Sequence, residues 1–239
     1  MFKSVFKAKE IEFLCAEEDW GIIPAPFAAK KDIPDWFKAL PPKLGNQGFN
    51  TSTIKRCMPF LDALCVGYII PLAADVHFQT NEDASGVNFE WKFHKNMVET
   101  HTFEQITTEK SPNPLLPKPP MKFLNYWMIK TPPEYSLLFI PPLNRVEPRF
   151  TCFSGFVDHP YYEQEYINFP FVWHQENTSE ILPAGTPLVQ VIPIKKDELL
   201  PKSRSRKMTG IEVANTEQLR ARRSLVHESI YRDNLHRRK

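Results

Sequence analysis

Proline is the feature that most restricts what this chain can fold into. There are 23 prolines among 239 residues, against only 8 glycines. Proline fixes φ and removes a backbone donor, so it stops helices and is kept out of the middle of sheets. Scarce glycine argues against a flexible, low-complexity chain. Together they call for many short, stiff, extended segments joined by fixed turns. The 18 phenylalanines supply core volume, because each ring buries a large apolar area. The length suits one large domain or a domain with appendages.

Between the prolines the apolar pattern is that of strands. VNFEWKFHKN (87–96) sets Val87, Phe89, Trp91 and Phe93 against Asn88, Glu90, Lys92 and His94, the period-two pattern of a half-buried strand. YIIPLAADVHFQT (68–80) reads as a long strand bent at Pro71, and the intervening NEDASG makes the two an antiparallel hairpin. A further strand is expected within residues 1–20. KFLNYWMIKTPP, YSLLFIPPL, FTCFSGFVD, YINFPFVW and PLVQVIPIK then follow without helical periodicity between them. That order argues for a sandwich or barrel and against βαβ units. Short helices are expected over Pro34–Leu40, with Asp32 near the cap, and over residues 53–66, with Pro59 in the first turn and Gly67 at the C-terminal cap. Residues 110–120 contain five prolines and read as a polyproline II crossover at the surface. The expected fold is mainly β: a jelly-roll, cupin-like or β-clip barrel over residues 1–200 with short peripheral helices. A basic linker and a C-terminal helix over about 214–236 follow in residues 201–239.

Cys15, Cys57, Cys65 and Cys152 are scattered, with no CxxC pair, and read as reduced thiols with no zinc site. The N-terminal twenty residues carry charges throughout and lack the apolar run of a secretory signal. The apolar stretch around 63–74 is broken by Gly67 and Pro71 and is too short to span a bilayer. These features place the protein in the cytoplasm, with no membrane partner.

Charge is uneven. Residues 195–239 hold 13 Lys and Arg against 6 Asp and Glu, a balance of +7; residues 1–194 hold 17 against 22, a balance of −5. A basic tail on a mildly acidic body suits an acidic protein surface or a nucleic acid. The residues that would make the contact are Arg204, Arg206, Arg220, Arg222, Arg223, Arg237 and Arg238. Only Tyr231 interleaves them, so any nucleic-acid contact would be electrostatic and not base-stacking.

Two constellations carry chemistry. The first lies between Lys130 and Lys196. Gly155-Phe156-Val157-Asp158 with Tyr161, followed by Ile181, Gly185 and Gln190, resembles the C-terminal part of the dUTPase and dCTP-deaminase superfamily, over a quarter to a third of the chain. The resemblance implies a β-clip fold, with Asp158 orienting or deprotonating a water and Tyr161 packing on a deoxyribose. Pro141-Pro142-Leu143-Asn144-Arg145 stands where that family has an Arg-Ser-Gly nucleotide-binding turn, and Asn168 falls near the deaminase glutamate. More diffusely, the chain resembles proteins carried by tailed phages, which implies a place in the host cytoplasm or the virion. The second constellation is Asp75-x-His77 and Glu99-x-His101. Residues i and i+2 share one strand face, so two such pairs on neighbouring strands suit a divalent metal, with His94 as an extra ligand. No GxSxG elbow, GxGxxG or GxxxxGK[ST] is present.

Two functions follow as expectations. One is a non-enzymatic interaction or assembly protein, phage-encoded, working through its basic C-terminal helix, either alone or as a homo-oligomer. The other is a small-molecule enzyme or binder on the β-scaffold, either deoxynucleotide-directed or cupin-like and metal-dependent.

Overall fold

Three segments expected as single strands are each broken in two, and the halves lie in different sheets. The computed structural model describes residues 10–45, 52–82, 86–105, 120–158 and 165–225. The segment expected as one bent strand over 68–80 is β3 (Tyr68–Pro71) and β4 (Val76–Thr80). KFLNYWMIK divides into β7 (Met121–Phe123) and β8 (Met128–Lys130), and FTCFSGFVD into β10 (Phe150–Cys152) and β11 (Gly155–Val157). The other strands are β1 (Glu12–Leu14), β2 (Phe27–Ala28), β5 (Val87–Glu90), β6 (Val98–Thr100), β9 (Tyr135–Ile140), β12 (Phe169–Trp173), β13 (Ser179–Leu182) and β14 (Pro187–Lys195).

All pairings of these strands are antiparallel, in four sheets of order β11-β9-β14-β3-β2, β10-β12-β7-β6, β13-β4-β5 and β1-β8. The mainly β expectation is met. None of the sheets closes into a barrel among the described strands, since each ends on two edges. The break between β7 and β8 has a local cause. Buried Asn125 donates to the carbonyls of Trp127 and Ile167 and accepts from Trp127 N–H. Its amide serves backbone groups that a ladder would otherwise pair.

Compactness divides the chain into two units, residues 1–32 with 64–198, and residues 33–63 with 199–239. In the first, Phe78 of β4 stacks on Trp173 of β12 at 4.1 Å, and Phe123 of β7 stacks on Phe171 of β12 at 3.7 Å. Val76 and Phe78 are fully buried, so alternation turns Asp75, His77 and Gln79 outward. The strand expected over 87–96 ends at Glu90. Val87, Phe89, Trp91 and Phe93 nevertheless all pack half-buried against the core, as the alternation predicts.

α2 (Met58–Cys65) carries Pro59 in its first turn, where a missing N–H costs nothing. Gly67 follows at φ 70°, and a Cβ there would stand 2.2 Å from the Val191 carbonyl oxygen. In the second unit, α1 (Asp35–Ala39) has Pro34 at its N-cap with no side-chain cap; the capping role expected of Asp32 is not used. Phe37 stacks on Phe60 at 5.6 Å. α3 (Gly210–Leu225) starts earlier than the helix expected from about 214. Thr209 and Glu212 explain this: Glu212 N–H donates to Thr209 Oγ1 at 3.3 Å, and Thr209 N–H donates to Glu212 Oε2 at 2.8 Å. That reciprocal pair is a capping box, spelled T-x-x-E in residues read above as linker. Residues 110–119 of the expected polyproline crossover and the part of the expected tail helix past 225 lie outside the described residues.

Candidate functional site

The two carboxylate–histidine pairs are not brought together. His77 is on β4 of the β13-β4-β5 sheet, with Asp75 just before that strand, whereas Glu99 is on β6 of the β10-β12-β7-β6 sheet, with His101 just beyond it. Each member has another partner. Asp75 Oδ1 accepts from Ala184 N–H at 2.7 Å, Glu99 pairs with Lys122 at 2.7 Å, and His101 Nδ1 lies 2.8 Å from Gln105 Oε1. Among the described residues no group of three or more His, Cys, Asp or Glu could hold a metal ion. His94 is elsewhere again, with Nε2 3.3 Å from Asp19 Oδ1.

Asp158 is committed to its own fold. It ion-pairs with Lys196 and accepts from buried Ser136 at 3.3 Å; Tyr161 lies outside the described residues. The segment in place of the family's nucleotide-binding turn is a structural clamp. Arg145 Nη2 donates to the carbonyls of Asp32 at 2.7 Å, Ala29 at 3.0 Å and Leu64 at 3.1 Å. Burial pushes its guanidinium below the usual value, and the nearby Asp32 charge offsets part of that. Fully buried Gln190 accepts from Leu143 N–H at 2.8 Å and donates to the Val66 carbonyl.

A part-buried ion pair ties the turn at 17–19 to the segment after β5. Fully buried Asp19 accepts from Lys95 Nζ at 2.6 Å through Oδ2, and Glu18 accepts from the same ammonium at 3.0 Å. The hydrogen bond to Asp19 is the main reason the Lys95 ammonium is held well above its usual range. Burial and the Asp19 charge push the Cys15 thiol up, away from thiolate character. Cys152 is buried, and its thiol is also pushed up. Cys15, Cys57, Cys65 and Cys152 form no disulfide.

The outward face of the β13-β4-β5 sheet carries a different arrangement. Cross-strand register sets His77 opposite Glu90 on β5 and opposite Ile181 on β13, with Ser179 diagonal to it. His77 Nε2 lies 2.8 Å from Ser179 Oγ, and its Nδ1 lies 3.1 Å from Glu90 Oε1. Both ring nitrogens are therefore engaged, which leaves none for the metal expected above. Asp75, His77, Glu90, Trp91, Lys92 and Ile181 line an open groove of about 350 Å³ beside them. Sequence reasoning named His77 but missed Ser179 and Glu90 as its partners. They are 102 and 13 residues away, and only strand register joins them.

Of the tail arginines, Arg206 is spent within the chain: its Nη1 and Nη2 donate to the two Glu212 oxygens at 2.7 Å and 2.6 Å. Hydrogen bonds from Arg206 and Thr209 hold the Glu212 carboxyl down at about 2. Arg204 and Arg220 are exposed. Positions 222 and 223 fall on α3, and Arg237 and Arg238 lie outside the described residues. No helix among the described residues is long and apolar enough to cross a membrane. No family model, curated protein or solved structure matches the chain.

Proposed function

We propose that the chain is an interaction or assembly protein whose C-terminal arm docks on an acidic protein surface. The observation that carries this reading is α3 itself. The helix is capped and internally hydrogen-bonded, yet Ile211 and Leu219 are 76% and 48% exposed. They stand at i and i+8, on one stripe. A short helix with its apolar stripe in water is marginal, so a partner surface would complete it. Apolar residues among arginines fit a groove with an acidic rim better than they fit phosphates, because bare phosphate recognition leaves an apolar stripe unused. The open sheets then serve as a scaffold of jelly-roll or β-clip character for the arm.

Charge reversal in the full chain tests it. Wild type and an Arg204→Glu, Arg220→Glu, Leu219→Asp variant are titrated with poly-L-glutamate and with a duplex oligonucleotide across ionic strength. Salt-sensitive binding to poly-L-glutamate that the variant loses is the expected result. Preference for the duplex transfers the arm to nucleic acid, and binding to neither overturns the reading.

A further inference from the structure

We propose that Ser179, His77 and Glu90 form a nucleophilic site that transfers the acyl group of short, uncharged esters to water. The geometry has the elements that activate a serine. A base nitrogen stands 2.8 Å from the hydroxyl oxygen, and the opposite ring nitrogen is held 3.1 Å from a carboxylate. With Glu90 accepting from the Nδ1 proton, the imidazole keeps the tautomer whose Nε2 lone pair faces Ser179. Glu90 acts here as a positioning residue, and Ser179 and His77 are the catalytic residues.

The sheet register also supplies a donor for the developing oxyanion. Thr80 N–H donates to the Thr178 carbonyl at 2.9 Å, and Asn81 N–H donates to the Gly86 carbonyl. Alternation along central β4 then sends the peptide groups of Phe78 toward β13 and those of His77 and Gln79 toward β5. Ser179, opposite Gln79, sits at a non-hydrogen-bonded position, so its own N–H points off the edge of β13, away from β4. Among the described strands β13 pairs with β4 alone. The N–H of the nucleophilic residue is thus free to meet a carbonyl oxygen under attack by its Oγ. Trp91 and the half-exposed Ile181 give the adjoining groove two apolar walls, and its size suits a short acyl chain.

The chemistry balances with water as the only co-reactant. Ser179 Oγ adds to the ester carbonyl carbon while its proton passes to His77 Nε2. The tetrahedral intermediate collapses, the carbon–alkoxide bond breaks, and the leaving alkoxide takes that proton. Water then adds to the acyl-serine through the same base, releasing the acid and restoring the serine hydroxyl.

The test uses the full chain, a fluorophosphonate probe and p-nitrophenyl acetate. Mass spectrometry is expected to find one phosphonyl adduct, on the peptide containing Ser179, and ester hydrolysis above the uncatalysed rate. Ser179→Ala and His77→Asn should abolish the adduct and lower hydrolysis by about 100-fold or more. Glu90→Gln should slow labelling by about tenfold, with partial recovery in Glu90→Asp. Ser179→Ala swaps one exposed hydroxyl for hydrogen, so its melting temperature should match wild type and serve as the folding control. Absence of an adduct at Ser179 in the wild type, labelling at another residue, or unchanged hydrolysis in Ser179→Ala overturns the proposal, whether or not His77→Asn folds.

Discussion

Two polar networks in the same unit are made of similar groups and serve opposite ends. Gln190 is buried and the Arg145 side chain is only 9% exposed, and the hydrogen bonds they make here go to backbone atoms: the carbonyls of Ala29, Asp32, Leu64 and Val66 and the N–H of Leu143. His77, Ser179 and Glu90 stand on an outward sheet face, and their partners are one another. A buried side chain that answers backbone groups substitutes for missing secondary structure. It cannot leave its partners without orphaning them in a dry interior. An exposed side chain bonded to another side chain has water as an alternative, so the fold does not depend on it and it is free to meet a ligand. The comparison predicts a ranking of substitutions by stability that differs from their ranking by chemistry.

The largest effect is expected at the turn both side chains serve. Gly67 has φ 70°, and an added Cβ would stand 2.2 Å from the Val191 carbonyl oxygen in β14. The left-handed conformation costs a side chain about 1–2 kcal/mol, and displacing a central strand adds about as much again or more. Gly67→Ala should therefore lose about 4 kcal/mol in urea unfolding. A loss below about 1 kcal/mol would show that the turn is not held where β14 passes.

Arg145→Met comes next. It keeps the aliphatic stem and removes the donors to three part-buried carbonyls, at about 1–3 kcal/mol for a group left without any partner. Some carbonyls will find water, so about 3 kcal/mol in total is expected. Gln190→Leu should cost about 2 kcal/mol, since it orphans Leu143 N–H and the Val66 carbonyl. The two side chains share the 143–145 loop, so the double variant should lose less than the sum. Strict additivity in a double-mutant cycle would break the view that they form one network.

Much of the scaffold was legible in the sequence, and most of the site was not. Period-two alternation located β5 and the hairpin with β4, and it named Val87, Phe89, Trp91 and Phe93 as half-buried. Alternation does not say which sheet a strand joins. The chain changes sheets between β3 and β4 and between β7 and β8, at Pro71 and at Asn125, whose amide replaces ladder bonds. Arg145 looked like a departure from a nucleotide-binding turn, and only its part-buried carbonyl partners give it a role. The Ser179 relay has no linear motif, because its three members meet through strand register, and Ser179 comes from 102 residues away. The capping box at Thr209 was readable in the sequence, and it marks the true start of α3.

That cap lies between the two networks: it is exposed, yet it serves backbone. Thr209→Ala should cost α3 about 1 kcal/mol of local helix stability, seen as reduced helical NMR shifts over the first turns. A pH titration checks the other half of the box. The Glu212 carboxyl is held down at about 2 from 4.5, so its contribution is present above pH 4.5 and fades as the pH falls toward 2. Helical shifts in the first turn should fade over that range, and less steeply in Arg206→Gln.

The smallest expected effect is the most informative. Ser179 Oγ has water on one side and His77 on the other, so Ser179→Ala leaves no buried group unsatisfied and opens no cavity. Its cost should stay within about 0.5 kcal/mol, as for ordinary surface substitutions. Glu90→Gln should be equally mild, because the Glu90 side chain is 75% exposed and water can replace an exposed hydrogen bond at little cost. Arg145→Met, by contrast, should lower stability strongly and leave phosphonylation at Ser179 intact under conditions where the protein is folded. The two networks would then separate cleanly: one sets the free energy of the fold, and the other only what the fold presents. If Ser179→Ala costs about 2 kcal/mol or more, the relay is a structural clasp between β13 and β4, and the distinction drawn from burial fails at that site.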